Sequence, residues 1–306
     1  MPITRRNFAV AALGLLGTAA LSHGPAAAED WRKQYPEITL GAITAENEAD
    51  RTTRFKPVRE YLEKALGVKV NWRTATDYAG IIEGVKAKKI ELAYFGPASY
   101  SQAYIVTGGQ VEPIAERLDV DGNKGYYSVV IVKTDSPYHK IEDLKGKKFG
   151  FADPNSTSGH QAPRFFLTEQ GFNPDTFFAS TTFSGSHENS VIALLNGTFD
   201  GVATWWNSEK QSNPERMEAK GMIKPGQWRI IWKSPQLPSD PWAMPVWLPA
   251  QMRADVKKAM LDLPKADPKV WQILDPGSPG FAAGNQADYE AIIRMIKANQ
   301  KQRRSS

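Results

Sequence analysis

Apolar runs alternate with helical patterns along most of the chain. Residues 38–43 read as a strand, 55–66 as a helix stopped by Gly67, and 68–72 as a second strand, the order of a βαβ unit. Thr76 and Asp77 supply a cap for a helix over 78–88, and 91–95 form a strand that ends at Gly96-Pro97. The pattern then returns. Ser186 caps a helix bearing Val191, Ile192, Leu194 and Leu195, Gly197 closes it, and a strand over 199–204 runs into Trp205-Trp206. Each half of the chain thus holds a helix, a tight turn and a short strand ending in aromatic residues, which predicts two α/β lobes with a cleft between them. Ligands of open α/β sheets bind beyond the carboxyl ends of the strands, where helix N-termini also point.

Two extended stretches are the candidates for carrying the chain across and back: 126–133, and 229–233 with the Pro-rich 234–241. They divide the sequence into lobe 1, residues 29–126 and 239–306, and lobe 2, residues 127–238. The tail over 250–306 is helical in pattern, broken by Pro264, Pro268, Pro276 and Pro279. It is expected to pack on the first lobe, with 301–306 frayed.

Residues 1–28 stand apart. Arg5-Arg6 precede an alanine-rich apolar run over 8–21, and Ala26-Ala27-Ala28 follow it. A basic start, a short apolar stretch and small residues at a cleavage position are the three parts of an export signal, too short to span a membrane permanently. Thr4-Arg5-Arg6-Asn7-Phe8 fits the twin-arginine pattern, with a plain secretory signal as the alternative. Cleavage near Ala28 is expected, which places the mature protein in the periplasm. Removing Arg5 and Arg6 lowers the formal charge of +5 to about +3, without basic blocks, so nucleic-acid binding is poorly supported. The chain has no cysteine, which excludes thiolate metal sites and cysteine nucleophiles and leaves stability to packing.

The most informative stretch is 149–167: a strand, then Asp153-Pro154-Asn155-Ser156-Thr157-Ser158-Gly159-His160, then a helical pattern. Here the free amides of a first turn, the positive end of the helix dipole and three adjacent hydroxyls can converge on an anion without a cationic side chain. The same residues also suit an ordinary cap, with Ser158 and Gln161 as a capping box. Pro163 then falls just past the tolerated first turn and predicts an irregular helix start. Gly185-Ser186-His187-Glu188 forms another helix start, whose carboxylate either meets a cationic ligand group or simply complements the dipole, worth ~0.3–1 kcal/mol. The aromatics Tyr94, Phe95, Tyr126, Tyr127, Trp205 and Trp206 gather at strand ends, where alternation leaves one of each adjacent pair facing the cleft.

Catalytic patterns are missing: there is no nucleophile elbow, no HExxH and no glycine-rich phosphate loop, and of the four histidines His23 lies in the export segment. His160 and His187 can donate to an anion but do not make a metal site. Binding without a cofactor fits better than turnover.

Several segments in order along 38–242 resemble the phosphonate-binding periplasmic proteins that serve ABC transporters. They are Asp77-Tyr78-Ala79-Gly80-Ile81-Ile82, Tyr94-Phe95-Gly96, Gly125-Tyr126-Tyr127-Ser128-Val129, the 153–159 turn, His187-Glu188, Trp232-Lys233-Ser234-Pro235 and Pro238-Ser239-Asp240-Pro241. The resemblance implies a type II periplasmic-binding fold: two α/β lobes joined by a two-strand hinge, with Ser128 and Ser156-Thr157-Ser158 holding phosphonate oxygens. The candidate ligand contacts are Ser128, Ser156, Thr157, Ser158, Gly159 and His160, with Tyr94, Phe95, Gly96, Glu46, Tyr127, His187, Glu188, Trp205 and Trp206 around them. The family also implies an acid at the Glu188 position, and another after 202–204, meeting the amine of an aminoalkyl phosphonate. The second falls in Trp205-Trp206-Asn207-Ser208-Glu209, where Ser208 replaces it or Glu209 shifts it, and Phe95 replaces an aromatic hydroxyl that Tyr94 can supply. The implied partners are a small phosphonate or related oxyanion and an inner-membrane permease, with the protein a monomer. Rival readings are a binding protein for phosphite, phosphate or a sulfonate, an exported hydrolase of phospho-compounds, and a sensor that docks on a receptor.

Overall fold

The first βαβ unit forms where the pattern places it. The computed structural model describes residues 30–43 and 45–305, so the proposed export segment lies outside the described residues. After a short helix α1 (Trp31–Gln34), strands β1 (Glu37–Ala42), β2 (Lys69–Arg73) and β3 (Leu92–Tyr94) pair in parallel around β1. Between and after them run α2 (Glu48–Leu66), α3 (Tyr78–Lys86) and α4 (Pro97–Val106). Helix α2 ends as predicted at Gly67, whose φ of 69° the missing Cβ permits. It begins well before the predicted Phe55. Asn47 caps it by accepting from the Asp50 amide, and the buried stripe of Phe55, Val58, Leu62 and Leu66 starts only after two polar turns.

Strand β4 (Val111–Arg117) leads out of this first sheet. A second sheet follows, made of β5 (Tyr127–Lys133), β6 (Lys148–Phe151), β7 (Ser180–Phe183), β8 (Gly201–Ser208), β9 (Gln211–Ser212) and β10 (Trp228–Lys233). Helices α5 (Ala162–Glu169), α6 (Pro174–Phe177), α7 (His187–Leu195) and α8 (Asn213–Ala219) accompany it. The chain then returns through β11 (Pro241–Pro245), α9 (Ala250–Ala266), α10 (Pro268–Leu274), β12 (Phe281–Ala283) and α11 (Glu290–Ser305). The sheet orders are β12-β4-β11-β3-β1-β2 and β10-β5-β8-β6-β7, with β9 beside β8. Strand β8 starts later than predicted and carries both tryptophans inside its ladder, Trp205 opposite Ser128 and Trp206 opposite Tyr127.

Of the expected crossing stretches, the Pro-rich 234–241 does carry the chain between the sheets, but the extended runs before it do not. Residues 126–133 and 229–233 are β5 and β10, an antiparallel pair inside the second sheet. The chain passes between sheets in the shorter segments 118–126 and 234–240. These segments are clipped together: the Tyr126 amide donates to Leu237 O (3.0 Å) and the Leu237 amide to Tyr126 O (2.8 Å). Gly125 makes the approach possible, since its φ is 106° and a Cβ there would sit 2.7 Å from Leu237 O.

The tail departs from its expected place at its end. Helix α9 buries Met252, Val256, Met260 and Leu263 in the core of the first sheet, as anticipated. Helix α11 instead joins both halves, its Ile292, Met295 and Ile296 packing with Ala98 of α4, Ala162 of α5 and the crossing residues Tyr126 and Leu237. Nor is the expected frayed end seen over 301–305, which is helical, and the Arg303 guanidinium donates to His160 Nε2 (2.8 Å).

Candidate functional site

Two helix starts meet between the sheets. On the first-sheet side, β3 ends in Phe95-Gly96, and Gly96 is the N-cap of α4, its amide donating to Ser99 Oγ (3.0 Å). On the second-sheet side, β6 runs into the Asp153–Ser158 turn. Asp153 Oδ1 accepts from the Asn155 amide (2.7 Å), and Ser156 Oγ accepts from the Gly159 amide (3.0 Å) as the cap of the next helical turn. The cap is therefore Ser156 and not Ser158, and Gln161 reaches back to Pro154 O instead of closing a capping box. The irregularity anticipated from Pro163 is a single π-helical turn over Thr157–Gln161, after which Pro163 falls in the tolerated first turn of α5. The two starts touch: the Ala98 amide in the first turn of α4 donates to Thr157 Oγ1 (2.8 Å).

A cavity opens at this junction. Of the predicted contacts it is lined by Glu46, Tyr94, Gly96, Ser156, Thr157, Ser158, His187 and Trp205. His187 is buried between Ser156 Oγ (3.0 Å from Nε2) and Thr204 Oγ1 (3.1 Å from Nδ1), and burial lowers its pKa to about 4, against the pull of Glu46. The Tyr94 hydroxyl donates to Asp240 (2.9 Å). The Tyr126 phenol meets the Thr157 and Ser158 side chains and the Tyr78 phenol meets Ser156, and burial raises the pKa of both, so they remain protonated donors.

The structure keeps the other predicted contacts out of this cavity. Phe95 is fully buried in the first core. Ser128, also fully buried, donates to Ser158 O (2.7 Å) and so holds the turn from behind. Gly159 is a packing glycine: a Cβ would lie 2.5 Å from Ala152 Cβ and 2.8 Å from His187 Cε1. His160 points the other way, toward α11, donating from Nδ1 to Pro154 O (2.8 Å); burial outweighs that carbonyl and, with Arg303, lowers its pKa to about 3. Tyr127 and Trp206 flank the Lys233 amine, 3.7 and 3.9 Å from their ring centres, in a separate concavity. Glu188 accepts from the Asn47 amide and side chain (both 2.9 Å) and from Lys220 (3.2 Å), tying α7 to the start of α2. Strand alternation thus selects Tyr94 over Phe95, Tyr126 over Tyr127 and Trp205 over Trp206.

What the sequence did not reveal is the charge around the hydroxyls. Arg54, Arg117 and Arg216 line the cavity with Asp119 and Asp240. Glu46 accepts from Arg54 (2.8 Å) and from Arg216, joining the two sides, and Arg216 lies over the Trp205 ring. Burial alone would raise the Glu46 pKa, but Arg216 and Arg54 hold it at about 2. Burial raises the Asp240 pKa, against Arg117 and the Tyr94 hydroxyl. The Pro238-Ser239-Asp240-Pro241 motif could have pointed to Asp240. Nothing local marks the arginines, which sit on helices and a strand end far apart in sequence. Among the described residues, no group of three or more His, Cys, Asp or Glu is placed to hold a metal.

Hydroxyl donors, first-turn amides and guanidinium groups around one cavity suit an oxyanion. The profile of the family described as "ABC transporter, phosphonate, periplasmic substrate-binding protein" matches residues 40–289. The "Phosphonates-binding periplasmic protein" of Escherichia coli is 36% identical over 221 residues, 71% of this chain and 62% of that protein. The "Phosphate-import protein PhnD" of Mycolicibacterium smegmatis is 37% identical over 209 residues, 65% of this chain and 64% of that protein. The chain thus spans about three-fifths of the length of these curated relatives. PhnD1 of Prochlorococcus marinus, solved with methylphosphonate, superposes with a TM-score of 0.75 at 25% identity, covering 87% of this chain and 99% of that one. The fold is that of type II periplasmic-binding proteins, and the chain belongs to the phosphonate-binding family of periplasmic substrate-binding proteins of ABC transporters.

Proposed function

We propose that the protein captures a small phosphonate in the periplasm and presents it to an ABC permease in the inner membrane, acting as a monomer and without chemical turnover. In this reading residues 29–126 with 239–306, and residues 127–238, are the two lobes, and export ends with cleavage near Ala28. Ser156, Thr157 and Ser158, with the Tyr78 and Tyr126 hydroxyls, receive the phosphonate oxygens.

The observation that carries the reading is the Ala98 amide on Thr157 Oγ1, because it brings two helix starts from different sheets to one point. Desolvating a dianion is costly unless nearly every oxygen is hydrogen-bonded, and such a cluster of donors meets that demand. Glu46 with Arg216, and Glu188 with Asn47, hold the two sides together beside it, so closure of the lobes is the state offered to the permease. The relatives' names differ between phosphonate and phosphate; the shared group is a tetrahedral phosphorus oxyanion. Calorimetric titration with methylphosphonate and with inorganic phosphate tests the reading. Methylphosphonate is expected to bind more tightly. Phosphate binding as tightly or more so would make the protein a phosphate carrier, and silence with both would end the proposal.

A further inference from the structure

A carboxylate faces the same space as the hydroxyl turn. Asp240, just before β11, accepts from the Tyr94 hydroxyl through Oδ2 (2.9 Å), and its Oδ1 has no hydrogen-bond partner among the described residues. That oxygen stands beside the bare Cα of Gly96 in the cavity wall, where a Cβ would lie 3.3 Å from Thr157 Oγ1, 3.6 Å from Asp240 Oδ1 and 3.7 Å from Ile43 Cδ1. Thr157 Oγ1 already accepts from the Ala98 amide, so its own hydrogen is left to donate. A donor from one side of the cavity and an acceptor from the other therefore address one spot. An oxygen without a hydrogen satisfies Thr157 but sets its lone pairs against Asp240, and an ammonium satisfies Asp240 but not Thr157. A hydroxyl on phosphorus satisfies both.

Resting on the phosphonate reading above, we propose that the ligand is held with one oxygen still protonated, a P–O–H that accepts from Thr157 and donates to Asp240 Oδ1. Asp240 is then the residue that admits phosphorus oxyacids and turns sulfonates away. A phosphonate gives up its second proton near neutral pH and can enter with it, whereas a sulfonate has lost its only proton in strong acid and offers Asp240 nothing but lone pairs. The retained proton also lowers the charge that must leave water. Against a sulfonate, the unmatched carboxylate is the repulsive element that specificity needs.

The test is calorimetry on the purified mature protein with methylphosphonate and methanesulfonate, which share their shape and methyl group, from neutral pH upward. The groups around Asp240 hold their charge there: Arg54 and Arg117 stay cationic, Asp275 is paired with Arg117, and burial raises the pKa of the Tyr78, Tyr94, Tyr126 and Tyr289 phenols. Methylphosphonate is expected to bind at least about a hundredfold more tightly than methanesulfonate. Its affinity falls about tenfold per pH unit once the free ligand loses its second proton. Asp240→Asn, whose amide can donate to a bare oxygen while still accepting from Tyr94, levels that fall and brings the two ligands within about tenfold of each other. Should the variant fail to fold, the wild-type profile still decides. If methylphosphonate affinity instead rises and levels off as the dianion forms, or if methanesulfonate binds as tightly, the retained proton is refuted while the phosphonate reading stands. If neither ligand binds, the phosphonate reading itself falls.

Discussion

The 156–158 turn and the arginine wall face one cavity but are built in opposite ways. The turn is local: one strand end and one helix start fix it, with Ser156 capping its own helix and Ser128 bracing its backbone. The wall is assembled from afar, with Glu46 following β1, Arg54 on α2, Arg117 ending β4 and Arg216 on α8. The Ser156 position therefore survives small changes in how the halves sit, whereas the Ala98–Thr157 contact and the Glu46–Arg216 pair exist only where they meet.

The largest effect is expected from Glu46→Ala. It leaves Arg54 and Arg216 buried without their shared carboxylate, and removing one partner of a buried pair costs about 3–5 kcal/mol. Denaturant unfolding measures this, and a loss below about 1 kcal/mol would class the wall with ordinary surface pairs.

Acid comes next and separates the two regions by pH. His187, beside the turn, has a folded pKa of about 4 against 6.5 for the free group, so the unfolded chain binds the proton first. Stability present above pH 6.5 is then lost as pH falls toward 4, about 3 kcal/mol in all. Buried His160, at about 3, acts in the same direction. Glu46, lowered to about 2, adds its loss only below its ordinary 4.5. Melting temperature is thus expected to fall between pH 6.5 and 4.5 through the histidines, and His187→Gln flattens that slope. An unchanged slope would mean that His187 takes up its proton in the folded protein.

Smaller still is Ser158→Ala, expected to weaken methylphosphonate about tenfold, ~1.4 kcal/mol, by isothermal titration. Unaltered affinity would move the anion away from the turn. Least of all, Tyr127→Ala lies outside the cavity with Lys233 over its ring, and a change beyond about threefold would bring that second concavity into the ligand path.

The local and long-range parts also differ in how far sequence discloses them. The βαβ order, the Gly67 stop and the caps at Asp77 and Ser186 were readable because each depends on residues within a few positions. The turn was readable for the same reason, although Ser156 and not Ser158 caps it. Alternation foretold that one aromatic of each pair would turn inward without saying which, because that depends on register with the neighbouring strand. The arginines were invisible, since a polar helix position reads the same whether it meets water or a partner from the other sheet. His160 was misplaced because its environment is set by Arg303 on the last helix.

That last helix has a mechanical consequence. Ile292, Met295 and Ile296 rest on Tyr126 and Leu237, where the chain crosses between sheets. Were one half to swing about the crossing segments, atoms would move in proportion to their distance from that axis, and α11, packed on those segments, would move least, like the pin of a door. Its contacts would persist through such a swing, while a sideways slip would shear them.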